Sequence, residues 1–246
     1  MELDSLLHLP FWLGVGQIIL IDILLGGDNA VVIALACRKL PESQRLKGIL
    51  WGTAGAIALR VVLIFFALTL LSIPYLKLAG AALLVWIGVK LLAPDDEDEH
   101  GKIEGSDKLW GAVKTVIVAD LVMSVDNVIA IAGAAQAAGG SHQMPLVIFG
   151  LLVSIPIIVG GSQLVIKLMD RFPLVITLGG MLLGWIAGSM AVTDPALLHL
   201  LPTQPASHAG ATVEVIPAVH YAAAAIGALM VLLIGRAVVT LKARGQ

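Results

Sequence analysis

The chain has few charged residues and only one cysteine. Asp, Glu, Lys and Arg make up 13% of its 246 residues, whereas about 25% is usual in soluble domains. Because Cys37 stands alone, no disulfide can form within the chain. The net charge of −2 provides no basic surface, so we expect no nucleic-acid partner.

Apolar residues account for 59% of the chain and are gathered into seven long runs. A hydrocarbon core about 30 Å thick needs about 20 apolar residues per helix. The runs are continuously apolar rather than alternating, which favours helices over the strands of a barrel. The sequence therefore predicts an all-α membrane protein with seven transmembrane helices that has the lipid bilayer as its surroundings. The predicted spans are 11–37, 46–71, 74–92, 109–134, 144–168, 173–192 and 215–239.

Cations alternate between the two ends of the predicted spans. The links after the first, third and fifth spans and the C-terminal tail are rich in Lys and Arg, whereas the other links hold only Lys77. Cytoplasmic loops carry the excess of Lys and Arg in membrane proteins. The sequence therefore predicts an N-terminus outside and a cytoplasmic C-terminus, which requires an odd number of spans.

The first three spans are repeated in the next three. The motif of the first span returns in the fourth at an offset of 98 residues, as Asp22, Asp28 and Asn29 against Asp120, Asp126 and Asn127. Since each unit has an odd number of spans, the second is inverted, as in many secondary transporters. The predicted units are a first three-helix repeat at 1–92, an acidic cytoplasmic linker at 93–108, a second inverted repeat at 109–193, an external loop at 194–214, and a seventh helix with a cytoplasmic tail at 215–246.

The aspartates of this motif are the only acids inside the predicted spans, and Arg60 is the only intramembrane cation. A charge at the bilayer centre costs about 2.5 to 3.5 kcal/mol on insertion scales, so several carboxylates need compensation. A divalent cation bound by carboxylate and amide oxygens would supply it. The alternative is a structural polar network in which the aspartates pair with Arg60 and neighbouring helices.

Residues around the motif refine this hypothesis. Gly26 and Gly27 permit a break in the first span that would bring its polar side chains together, whereas Ser124 and Val125 occupy the equivalent positions in the fourth span. The Ser124 hydroxyl is a candidate ligand. Oxygen donors suit Mn²⁺, Mg²⁺ or Ca²⁺, and the lack of nearby Cys or His argues against copper or tetrahedral zinc. We expect no resident cofactor.

Glycines at intervals of four mark the sixth span. Gly180, Gly184 and Gly188 lie on one face of a helix and predict a ridge of small residues. Such a ridge lets another helix approach closely.

The segments from Leu25 to Ile33 and from Ser124 to Ala130, with Arg60 between them, resemble the TerC family of bacterial membrane proteins over nearly the whole chain. The resemblance implies a short, single-domain member with a seven-helix fold similar to the lysine-exporter superfamily, in the bacterial inner membrane. It also implies Mn²⁺ export coupled to protons. The family's metal-site residues carry over to Asp28, Asn29, Asp126 and Asn127, and we extend this set to Asp22 and Asp120.

Two other functions are open at this point. A divalent-cation channel would use the same carboxylates but would conduct without saturation. An intramembrane aspartyl protease is suggested by Gly26-Gly27-Asp28, although Leu25 stands where that motif needs its first glycine. We expect a carrier and not an enzyme. The sequence leaves open the direction of transport, the choice among hard divalent ions and the formation of a homo-oligomer.

Overall fold

The computed structural model describes residue 16 and residues 27–71, 73–93, 105–137, 143–205 and 213–244. Within these ranges, the side chains of 64–65, 67–71, 105–106, 126–137, 143–150 and 242–244 lie outside the description. The described chain contains seven helices and one two-stranded sheet. The helices are α1 (described over Gly27–Cys37), α2 (Glu42–Leu71), α3 (Leu76–Leu92), α4 (Gly105–Ala137), α5 (Gln143–Arg171), α6 (Leu174–Val192) and α7 (Pro217–Arg244).

The helices lie where the apolar runs predict them. The bounds of α2 to α7 fall within about five residues of the predicted spans. Four stretches are long and apolar enough to cross a membrane by length and composition, at Glu42–Leu63, Leu151–Arg171, Leu174–Val192 and Pro217–Leu241. The chain is thus a helical, multi-pass integral membrane protein. The inverted repeat and the number of crossings stay predictions.

A short hairpin interrupts the all-helical plan between α6 and α7. Strand β1 (Thr203–Pro205) pairs antiparallel with β2 (Val213–Val215), and Gln204 lies opposite Glu214. Gln204 Nε2 donates a hydrogen bond to Glu214 Oε1 at 2.9 Å. Strands of three residues are too short to give a recognisable alternation of polar and apolar residues, so the sequence indicates only a loop here.

Contacts between helix ends show that α1, α3 and α5 end on the side of the bundle where α2 begins. Arg38 Nη2, just after α1, donates to the Leu91 carbonyl at the end of α3. Arg45 at the start of α2 forms a salt bridge of 2.9 Å with Asp170 at the end of α5. These residues, together with the start of α6 and the end of α7, form one end of the bundle. We call it the cationic end because it carries Arg38, Lys39, Arg45, Arg171 and Arg236.

Glycines allow close packing of α6 against its neighbours. A Cβ on Gly184 would overlap the Gly227 carbonyl of α7, and one on Gly188 would overlap the Ala223 carbonyl. Gly180 lies against the Leu92 side chain at the end of α3. The predicted ridge of small residues is therefore confirmed, and it brings the backbones of α6 and α7 into contact.

The buried core lies between α1, α3, α4 and α6, where Leu35, Leu84, Val116 and Leu183 are fully buried. Large apolar side chains also cover the outside of the bundle. In a soluble protein such a surface would promote aggregation, but in a membrane protein it is the face that contacts lipid.

Candidate functional site

An ionic triad joins the middle of α2 to the middle of α4. Arg60 Nη2 donates to Asp120 Oδ1 at 2.6 Å, and Arg60 Nε donates to Ser124 Oγ at 3.1 Å. The Ser124 hydroxyl in turn donates to Asp120 Oδ2 at 3.0 Å. Asp120 and Ser124 are four residues apart and lie on the same face of α4, so one guanidinium reaches both. Both oxygens of the Asp120 carboxylate accept a hydrogen bond within the triad.

All three side chains of the triad are buried. The exposed fractions are 3% for Arg60, 6% for Asp120 and 0% for Ser124. A buried ion pair is stable only when hydrogen bonds satisfy both partners, and the serine hydroxyl bridges the two charged groups here. Glycines allow α2 to pack closely enough against α4 for the triad to form. A Cβ on Gly52 of α2 would press on Val116 of α4, and one on Gly55 would press on Ile117.

Asp28 and Asn29 lie in the first described turn of α1. The Asn29 amide N–H donates to Asp28 Oδ1 at 2.8 Å. Asp28 is partly buried, and Arg60 and Asp120 are within electrostatic range of its carboxylate. Asp28 of the first motif is therefore within electrostatic range of Asp120 of the second.

The Asn29 side chain is buried without a partner among the described residues. Its exposed fraction is 4%, and neither Oδ1 nor Nδ2 makes a hydrogen bond there. A buried amide without hydrogen bonds costs about 1–3 kcal/mol by mutational data, and such groups are rare in native proteins. An amide oxygen is also a ligand that hard cations accept.

The remaining predicted residues are described less fully. Asp22 and Gly26 lie outside the described residues. Asp126 and Asn127 lie in α4, but their side chains are outside the description. Among the side chains that are described, no three His, Cys, Asp or Glu residues form a group that could hold a metal ion. Gly27 is exposed, and a Cβ there would meet open space.

Sequence reasoning missed a second buried carboxylate, Asp194, which it assigned to an external loop. Asp194 is 0% exposed and joins the end of α6 to the start of α3. Its Oδ1 accepts from the Tyr75 and Ala196 amides at 2.9 and 2.8 Å, and its Oδ2 accepts from the Leu78 amide at 3.1 Å. Burial raises the pKa of Asp194, but the backbone hydrogen bonds outweigh this effect and hold the pKa below its ordinary value of 3.8.

This carboxylate caps α3 from 116 residues away along the chain. Tyr75, which precedes the helix, has a φ of 66°, a conformation that is uncommon outside glycine. The only local signal is Asp194-Pro195 at a helix end, which indicates a turn and not a remote partner.

Comparisons with known proteins identify the kind of membrane protein. The family model described as "Integral membrane protein TerC family" matches residues 7–243. The chain is 43% identical over 197 residues to the uncharacterized membrane protein YjbE of Bacillus subtilis, covering 80% of this chain and 84% of that protein.

More distant relatives extend this similarity. The uncharacterized membrane protein YceF of B. subtilis is 28% identical, covering 73% of this chain and 71% of that protein. The UPF0053 inner membrane protein YgdQ of Escherichia coli strain K12 is 24% identical, covering 66% of this chain and 73% of that protein. No solved structure matches this chain.

Proposed function

Because this chain belongs to the TerC family of integral membrane proteins, we propose that it is a secondary transporter that exports a divalent metal ion. Mn²⁺ is the proposed substrate, and protons are the proposed coupling ion. The metal would bind between α1 and α4, where the two predicted repeats meet. The protein would not be an enzyme, and the cationic end of the bundle would face the cytoplasm.

The observation that carries this proposal is the buried Asn29 amide beside Asp28. The amide has no partner among the described residues, although it is 4% exposed. Placing such a group in the interior is costly unless something binds it in part of the working cycle. Asp28 adds a carboxylate to the same turn of α1. A cation bound there would satisfy the amide oxygen and the carboxylate together.

Charge balance favours a cation over a neutral or anionic substrate. Within the described part of the chain, Arg60 is paired with Asp120, so this guanidinium is already neutralised by one carboxylate. Asp28 has no salt bridge to a described residue, and the sequence adds Asp22 and Asp126 to the same spans. A divalent ion supplies positive charge where the side chains do not.

The donor types favour Mn²⁺ or another hard ion over copper or zinc. Carboxylate and amide oxygens suit Mn²⁺, Mg²⁺ and Ca²⁺, whereas soft ions prefer Cys and Met sulfur. Cys37 is buried nine residues along α1 from Asp28 and forms no metal-binding group with the other described side chains. Carboxylates that alternate between metal-bound and protonated states would couple metal export to proton entry.

A reconstituted transport assay tests the proposal. Purified protein in liposomes should move Mn²⁺ with saturable kinetics, and an imposed pH gradient should change the rate. Asp28→Asn removes a charged ligand and should reduce the flux at least about ten-fold, equivalent to about 1.4 kcal/mol of binding. Asp107→Asn is the matched control, because Asp107 is an exposed acid in the first turn of α4.

Three outcomes would contradict parts of the proposal. Equal flux through the Asp28→Asn and control variants would reject the site. Flux without saturation would indicate a channel, and a rate independent of the pH gradient would reject proton coupling. Competition by Mg²⁺ and Ca²⁺ in the same vesicles measures the choice of ion.

A further inference from the structure

A cavity of about 350 Å³ opens at the cationic end of the bundle, away from the triad. It lies where the link after α1, the end of α3, the start of α6 and the end of α7 meet. The side chains that decide its chemistry are Arg38, Thr177, Leu232, Arg236, Val239 and Thr240. Neither the ionic triad nor Asn29 lines it.

The polar part of this cavity suits an anion. Arg38 and Arg236 both line it, together with the hydroxyl-bearing side chains of Thr177 and Thr240, and none of its described lining residues is acidic. Arginine binds phosphate through two parallel N–H groups, and a hydroxyl can add a further hydrogen bond. The Arg236 carbonyl accepts a hydrogen bond from Thr240 Oγ1 at 2.8 Å, but the exposed Arg236 side chain makes no hydrogen bond or ion pair with a described residue. Its guanidinium is therefore free to bind a ligand.

The rest of the cavity is apolar and continues onto the outside of α7. Leu232 and Val239 line it, and Leu229 and Leu233 on the same helix are 52% and 64% exposed. A free inorganic anion would gain nothing from these side chains. An acyl chain would cover them and lose contact with water.

The depth of the cavity along α7 matches the level of lipid headgroups. Arg236 lies five residues before the end of the apolar stretch Pro217–Leu241, a rise of about 7.5 Å along a helix. Arginine near the end of a membrane helix extends toward the interface, where lipid phosphates lie. Arg38 directly follows α1 and reaches the same level.

We propose that this cavity binds an anionic phospholipid, with the phosphate between Arg38 and Arg236 and the acyl chains along α7. Thr177 supplies a hydroxyl to the headgroup. The lipid joins α1, α3, α6 and α7 at the end of the bundle that the cation pattern predicts to be cytoplasmic. This site is independent of the proposed transport function, because it shares no residue with the metal site.

Native mass spectrometry of the purified protein in detergent tests the site. Phosphatidylglycerol should bind in preference to phosphatidylcholine with the same acyl chains, and inorganic phosphate should not displace it. Arg236→Gln should weaken phosphatidylglycerol binding about five-fold, from the contribution of one cation near a phosphate. Arg236→Lys keeps the charge but not the two parallel donors, and should give an intermediate affinity.

Lys114→Gln is the control, because Lys114 is an exposed cation on α4 that does not line the cavity. Thr177→Val provides a second variant that preserves charge and should also weaken binding. A melting curve without lipid checks that each variant is folded, and phosphatidylglycerol should raise the melting temperature of the wild type more than that of Arg236→Gln.

Several results would overturn the assignment. Equal binding of the two lipids would show that charge is not recognised, and displacement by inorganic phosphate would identify a free-anion site. Equal losses in Arg236→Gln and Lys114→Gln would indicate a non-specific surface effect. Stronger lipid binding after neutralising the five acids at 95–99 would mean that this segment of the chain is the natural occupant.

Discussion

Arg60 on α2 and Asp120 on α4 form a buried ion pair with an Nη2–Oδ1 distance of 2.6 Å. Ser124 bridges the two residues, so the pair, its hydrogen bonds and the contact between the helices form one unit. Such a unit stabilises the fold while it is complete, and removing one charged side chain is costly because the other then stays buried after losing the opposite charge nearest to it in the triad.

We therefore predict a strong coupling between Arg60 and Asp120. Arg60→Met and Asp120→Leu should each lower the free energy of unfolding by about 3–5 kcal/mol, because each leaves one buried charge. The double variant should recover most of that loss. Denaturation in detergent of the wild type, both single variants and the double variant measures the coupling energy.

Asp170→Asn is the control for this cycle. Asp170 also pairs with an arginine, Arg45, but its side chain is 52% exposed. Its loss should cost no more than about 1 kcal/mol. Additive effects of Arg60→Met and Asp120→Leu would contradict the prediction.

The Asn29 amide, which has no hydrogen-bond partner among the described residues, predicts opposite effects on stability and on metal binding. Asn29→Leu replaces a buried amide by an apolar side chain of similar size, so the metal-free protein should gain about 1–3 kcal/mol of stability. The same variant should lose the rise in melting temperature that Mn²⁺ gives to the wild type. Melting curves with and without Mn²⁺ measure both effects.

Asn127→Leu is a useful comparison, since it replaces the equivalent residue of the second motif. A metal-free Asn29→Leu protein less stable than the wild type would show that the amide has a structural partner. An unchanged response to Mn²⁺ would exclude the amide oxygen as a ligand.

Asp194 predicts a loss of stability in acid. Its folded pKa is below its ordinary value of 3.8, so the carboxylate stabilises the fold at higher pH. That contribution should fall as the pH drops below about 3.8 and through the folded pKa, as protonation removes the charged acceptor. Melting temperatures between about pH 3 and pH 6 measure this dependence.

Asp194→Asn should be less stable than the wild type at neutral pH, by about 1–3 kcal/mol, because an amide cannot accept all the backbone hydrogen bonds. It should also have a flatter pH profile. Asp170→Asn is again the control for the loss of one carboxylate. Parallel profiles for Asp194→Asn and the wild type would contradict the assignment.

The contact between α6 and α7 predicts that two similar substitutions differ in outcome. A Cβ on Gly188 would overlap the backbone carbonyl of Ala223, whereas one on Gly160 of α5 would meet nothing within 4 Å. Gly188→Ala should therefore destabilise the protein by about 1–3 kcal/mol or more. Gly160→Ala should be neutral or stabilising by up to about 1 kcal/mol, the usual preference of alanine in a helix. Similar melting temperatures for the two variants would contradict this packing.

Sequence reasoning worked best where a long pattern determines the structure. The helices follow from continuous apolar runs, since a backbone in lipid must satisfy its own hydrogen bonds. The ridge at Gly180, Gly184 and Gly188 follows from the period of the helix, because small residues four apart lie on one helix face. The β1–β2 hairpin was missed because three residues are too few to form a pattern.

The contacts within the site could not be predicted to the same extent. The sequence identified Arg60 as the only intramembrane cation, but not which of four aspartates it would contact. That choice depends on how closely α4 approaches α2 at Gly52 and Gly55, and spacing along the chain does not fix this distance. Asp194 was missed for a similar reason, since its partners at Tyr75 and Leu78 are remote in sequence.

The close backbone contact of α6 with α7 has a consequence for conformational change. Helices in backbone contact cannot slide past each other without separating first. In addition, Asp194 connects the end of α6 to the start of α3 by hydrogen bonds. We therefore expect α3, α6 and α7 to move as one rigid body. Rearrangements that expose the two sides of the membrane in turn would then occur by displacement of this body against the pair of α2 and α4.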